Sequence, residues 1–174
     1  MRQRGRYSLS VGALLATAFA TAHPAASVER RPSLCSAAET AIFSCAVGGK
    51  VASLCASPDL DDTKGIMTYR FGRRGAVELA HPETPGHPRT AFVAGIDSTE
   101  RGDYVRFSRG GFTYTIYALV GTQGRSETDG LLITRGKTIL RDLRCKDFAM
   151  GDGAWRLMYR AMLPADEPQS IRPR

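Results

Sequence analysis

Between residues 40 and 145 the apolar positions recur at every second residue in short runs, and glycine-bearing turns separate the runs. A period of two puts successive side chains on opposite faces of a strand. Residues 41–47 and 50–56 flank Gly48-Gly49, a pair suited to the left-handed backbone of a two-residue hairpin. Residues 66–72 place Met67, Tyr69 and Phe71 on one face, and Arg73-Arg74-Gly75 turns the chain into 76–80, with Val77 and Leu79 together. A short apolar strand follows at 90–96. Residues 103–108 and 112–120 flank Arg109-Gly110-Gly111, and residues 130–134 and 138–145 flank Arg135-Gly136-Lys137. Eight or nine such strands predict an all-β fold, an antiparallel up-and-down barrel or sandwich. One short C-terminal helix is expected over 153–162, with Asp152 as its cap, Trp155, Met158 and Met162 on one stripe, and Pro164 as its stop. Trp155 reads as a packing anchor. The β domain is expected to span 35–165, between a flexible lead-in at 23–34 and a flexible tail at 166–174.

The same alternation weighs the cysteines. Cys35, Cys45, Cys55 and Cys145 are an even set in a small domain, which reads as two disulfides. Intervals of nine, nine and 89 residues do not suit structural zinc, whose paired ligands stand two to four residues apart, and no C-x-x-C redox motif is present. In a Gly48-Gly49 hairpin Cys45 falls opposite Ala52 and Cys55 opposite Ile42, so the two point to opposite faces and do not bridge each other. Two pairings remain: Cys35–Cys55 with Cys45–Cys145, which is preferred, or Cys35–Cys45 with Cys55–Cys145. Either ties the last strand to the first hairpin.

A different pattern precedes the strands. Arg2, Arg4 and Arg6 lead into the uncharged run 11–22, which ends Ala20-Thr21-Ala22. A basic start, a short apolar run and a small-x-small end make up a secretory signal, with cleavage after Ala22 and His23 as the new terminus. The apolar run is shorter than the ~20 residues a membrane-spanning helix needs. Leu34 before Cys35, and the charged Glu29-Arg30-Arg31 upstream, do not suit lipid attachment. The expected location is therefore periplasmic or secreted, with no transmembrane segment in the mature chain.

Composition adds less. The 174 residues are 43% hydrophobic and 24% charged, which is ordinary for one globular domain. The first 22 residues hold three of the 24 basic residues and none of the 17 acidic ones, so the mature chain carries +4. Its arginines (Arg70, Arg73, Arg74, Arg101, Arg106, Arg109, Arg125) read as scattered over a solvated surface.

Phe43-Ser44-Cys45, Ser53-Leu54-Cys55-Ala56-Ser57, Tyr69-Arg70-Phe71-Gly72, Val77-Glu78-Leu79, Tyr104-Val105-Arg106-Phe107 and the late Cys145 resemble an uncharacterised family of small exported proteobacterial proteins. The similarity covers roughly residues 35–165. It implies export and β structure, and it carries over no active site.

Candidate chemistry is sparse. His81, Glu83 and His87 offer nitrogen and oxygen ligands in a proline-rich loop, but that loop reads as exposed connection, and no metal or other cofactor is expected. Asp59, Asp61 and Asp62 form one acidic cluster without the ligand series of an EF-hand. No G-x-S-x-G elbow is present. A sequence pI near 9.6 raises nucleic acid as a ligand. Tyr104 and Arg106 would share a face opposite the core residues Val105 and Phe107, though, and that strip is too short for a stacking platform. The sequence therefore points to a non-catalytic binding or structural module of the cell envelope. Its expected partner is an anionic envelope polymer such as lipopolysaccharide, or a periplasmic protein, met through exposed Arg and Tyr with Arg106 and Arg109 as test positions. The alternative is a periplasmic inhibitor of a lytic enzyme such as lysozyme, with Asp59 to Asp62 as its contact.

Overall fold

The strand pattern turns into two meanders in the computed structural model, which describes residues 32–99, 101–120, 128–146, 149, 154–167 and 170–171. The first sheet runs β1 (Thr40–Val47), β2 (Lys50–Ala56), β3 (Met67–Arg73) and β4 (Ala76–His81) in chain order, each antiparallel to the next. A 3-10 turn at Pro88–Thr90 leads to the second sheet, β5 (Val93–Ile96), β6 (Gly102–Arg109), β7 (Phe112–Leu119), β8 (Thr128–Arg135) and β9 (Thr138–Arg144). A single helix, α1 (Ala154–Arg160), follows. Two separate sheets make this a sandwich rather than a closed barrel. The expected signal at 1–22, the helix cap at Asp152 and the packing of Trp155 lie outside the described residues and side chains.

The alternation decides what lies between the sheets. Phe43, Cys45, Leu54 and Tyr69 from the first sheet meet Val105, Phe107, Ile116 and Leu131 from the second in one buried cluster. Tyr69 and Phe107 are 5.0 Å apart between ring centroids, and Phe107 stacks on Tyr114 at 4.8 Å. Met158 and Ala161 of the helical turn join this cluster, the Met158 side chain contributing about 1.5–3 kcal/mol by its burial. Met162 does not. The helix ends at Arg160 and Met162 takes φ 47°, which leaves it exposed rather than on the core stripe.

Both disulfides take the preferred pairing, Cys35–Cys55 and Cys45–Cys145. Cys45 pairs with Ala52 as the hairpin register predicts, while a bulge between Ala41 and Phe43 sets Cys55 opposite Ala41 instead of Ile42. A second bulge, between Phe71 and Gly72, separates Val77 from Leu79, so Val77 faces solvent while Leu79 packs on the core.

The outer faces are covered by the two ends of the described chain. Ser44, Ser53 and Arg70 align across the outside of the first sheet. Ser44 Oγ donates to Pro32 O, the Leu34 N–H donates to Ser53 Oγ, and Arg70 bonds Leu34 O and both carboxylate oxygens of Glu39. Cys35–Cys55 pins the same segment, so Pro32 to Leu34 are held rather than flexible.

On the second sheet Tyr104, Tyr117, Leu119 and Leu132 form a smaller outer cluster with Ile171. Pro164 to Asp166 bond the edge of β5 as a short parallel bridge: the Ala94 N–H donates to Pro164 O and the Asp166 N–H to Ala94 O. Asp166, Ser170 and Ile171, expected within a loose tail, are docked. The Ile171 N–H donates to Asp97 Oδ2 at 2.7 Å. A buried aliphatic side chain and a paired carboxylate outweigh the loosening effect of the neighbouring prolines.

Candidate functional site

The residues that carried candidate chemistry in the sequence serve structure at separate places in the fold. His81 stacks on Phe107 at 4.2 Å and its Nε2 bonds Ala91 O. Burial pushes its imidazole below the ordinary value, which keeps it neutral at pH 7. His87 Nε2 instead bonds Asp61 O, and Glu83 pairs with Arg109. The three potential ligands thus point to three different partners, and no group of three metal-ligating side chains occurs among the described residues.

Asp61 closes its own turn, accepting from the Thr63 N–H, the Thr63 hydroxyl and the Lys64 N–H. These bonds hold its carboxyl below the usual range. Leu60 is buried beneath, so the acidic cluster is a folded turn on an apolar foot.

Tyr104 and Arg106 share the outer face, as the alternation predicts, but they are not an exposed strip. Tyr104 is fully buried and donates to Asp166 Oδ2, and burial pushes its hydroxyl up to about 12. Arg106 pairs with the same carboxylate and bonds Thr115 Oγ1. Arg109 Nη1 donates to Ala80 O, tying β6 to β4. Both arginines are spent on structure: Asp166 covers Arg106 on the outer face that alternation leaves open, and Arg109 reaches across to the β4 edge.

Two surfaces with exposed cations stand out among the described residues. One is a cleft of about 340 Å³ beside β5, lined by Arg89, Thr90, Phe92, Phe107 and Ser108, with the Arg106–Asp166 pair on its wall. That pair is neutral overall, which leaves Arg89 as the cleft's net charge.

The other surface is the β8–β9 hairpin. Arg135, Lys137, Arg141, Arg144 and Lys146 are all exposed there, and none has an ion-pair partner among the described residues. Asp142 is the one acid between residues 135 and 146, and it accepts from the Tyr117 hydroxyl at 2.7 Å. Arg141 Nη1 bonds its neighbour's carbonyl, Leu140 O, and Arg135 lies over the Phe112 ring. Ile139 and Leu140 are exposed between the cations.

β9 is an edge strand, and its far side bonds no other backbone among the described residues. Charges and a bulge on an edge also guard against strand-to-strand aggregation. Five cations within residues 135–146 nonetheless create a local positive field that the same charge spread evenly over the chain would lack. Their density along 135–146 was visible in the sequence. That they share one uncovered edge was not.

Comparison with family models, with curated proteins and with solved structures finds no match for this chain. Two disulfides point to an oxidising, extracytoplasmic compartment, and no helix among the described residues is long and apolar enough to cross a membrane.

Proposed function

We propose that the protein is a non-catalytic binding module of the bacterial cell envelope, exported through cleavage near Ala22, that associates with an anionic envelope polymer along the β8–β9 edge. The observation that carries this reading is the set of five exposed cations along residues 135–146, none with an ion-pair partner among the described residues. Supporting it, the sandwich is stapled twice, and the candidate side chains His81, Glu83, His87 and Asp61 are engaged in turns and in ties between strands. Phosphate or carboxylate groups spaced along a polymer suit a row of guanidinium and ammonium groups, with the arginines able to bond two oxygens each.

The test is a titration of mature protein with lipopolysaccharide, using a neutral glucan as control, across a range of salt. Association that weakens as screening shortens the reach of the field is expected. Replacing both Arg141 and Arg144 by Ala should reduce affinity about fivefold, since exposed charges act at roughly 0.2–1 kcal/mol each. Arg89→Ala in the cleft should leave it nearly unchanged. Binding that ignores salt and both β9 substitutions overturns the proposal. Loss of lysozyme activity in the presence of a protein that binds no polymer would favour the inhibitor reading instead.

A further inference from the structure

Residues 164–167, 170 and 171 form a strap that meets the sandwich as a bound peptide would. It adds a short parallel bridge to the β5 edge, places the Asp166 carboxylate between Arg106 and Tyr104, and sets Ile171 into the outer cluster beside Tyr104 and Tyr117. Strand addition of this kind takes its affinity from main-chain bonds and its specificity from side-chain pockets. Nothing in this recognition requires that the segment belong to the same chain.

The connection into the segment is short and strained. α1 ends at Arg160, and only Ala161, Met162 and Leu163 separate it from the first strap bond at Pro164. Met162 is held at φ 47°, a left-handed conformation that a side-chain-bearing residue adopts at a cost and that helix ends usually give to Gly. Short hinges under strain favour exchange of an element between copies, because the exchanged form keeps every contact and releases the hinge.

Exposed apolar side chains gather at the same hinge. Ile96 pairs with Asp103 across β5 and β6, the Tyr159 hydroxyl donates to Asp103 Oδ2, and Ile96, Tyr159 and Met162 are 65%, 57% and 62% exposed. A second copy whose hinge opens outward would pass across this surface.

We propose that the strap that begins at Pro164 and carries Asp166 and Ile171 exchanges between two copies of this chain, so that in a dimer the Arg106–Tyr104 site and the Ile171 pocket of each protomer are filled by the other's strap. This inference does not depend on what the β9 edge binds. A tethered strap acts at a millimolar effective concentration, so the dimer forms at high protein concentration and persists when diluted quickly.

Two measurements on the full mature chain test it. Light scattering after incubation at high concentration should show a dimer, and Met162→Gly should lower its equilibrium constant at least about tenfold by removing the strain at both hinges. In the second, one chain carries Ala94→Cys and another Ala165→Cys, and the two are mixed. A disulfide between the two introduced thiols, formed in excess over like-with-like links, places one chain's strap on the other's β5. Monomer at every concentration, or introduced thiols that link no better than the like-with-like controls, overturns the inference. So does a dimer that Met162→Gly leaves unchanged.

Discussion

Tyr69 places a hydroxyl in the core with no hydrogen-bond partner among the described residues, and burial raises its ionisation far above the ordinary tyrosine range. A buried hydroxyl without a partner costs roughly 1–3 kcal/mol, while its ring still contributes packing against Phe107. Tyr69→Phe keeps the ring and removes the orphan, so it should raise stability by about 1 kcal/mol in a denaturant melt. A loss of stability would mean that the hydroxyl has a partner. On the outer face the reverse holds. Tyr104 lies over Gly95 and Tyr117 over Gly130, and a Cβ at either glycine would collide with the phenol end of a fully buried ring. Gly130→Ala is expected to cost about 1–3 kcal/mol, the usual range for overpacking a filled site, and an unchanged melting temperature would contradict it. These two glycines look like ordinary strand interruptions in the sequence. Their role depends on rings from neighbouring strands, which no local pattern reveals.

The strands and their turns were legible because both signals are local. Alternation fixes the faces, and Gly48-Gly49 and Gly110-Gly111 each take the two successive positive φ values of their hairpins. Face parity also excluded a Cys45–Cys55 bridge, and that exclusion survived the bulge near Ala41 because Cys45 faces the core while Cys55 meets Cys35 on the outside. Parity alone left the choice between the two remaining pairings open. What covers an outer face was not legible, since that depends on where distant segments return, and so Tyr104 and Arg106 were expected in solvent.

Glu39 in the strap at 32–39 and His81 beside the core titrate in different ranges. Glu39, held by both arms of Arg70, has its carboxyl pulled down from 4.5 to about 2. Its depressed pKa gives stability that is complete above about 4.5 and is lost as pH falls toward 2. His81, also depressed but by burial, gives stability that is present above its ordinary value of 6.5 and declines below it. Denaturant midpoints measured from pH 7 to 2 should therefore fall in two stages. His81→Gln is expected to flatten the first stage and Glu39→Gln the second. A single stage that neither substitution alters would contradict these assignments.

Across the whole molecule, the two staples differ in reach. Cys35–Cys55 closes a separation of 20 residues and fastens the strap at 32–39, whereas Cys45–Cys145 closes 100 and joins the first sheet to the end of the second. On loop-closure entropy alone the longer bridge contributes about 4.7 kcal/mol and the shorter about 3.3 kcal/mol. Replacing Cys45 and Cys145 by Ala should accordingly destabilise more than replacing Cys35 and Cys55, as read from denaturant midpoints. The opposite order would show that the polar seam under the strap outweighs the sheet-to-sheet tie. Fold, location and proposed binding all presuppose that the chain leaves a reducing compartment and closes both bridges.

Intact mass tests that premise directly, on protein recovered from its native host and alkylated with and without prior reduction. A chain that begins at His23, with no alkylatable thiol until reduced and four afterwards, is the expected result. An uncleaved chain with four free thiols would contradict export, both staples and the envelope role together.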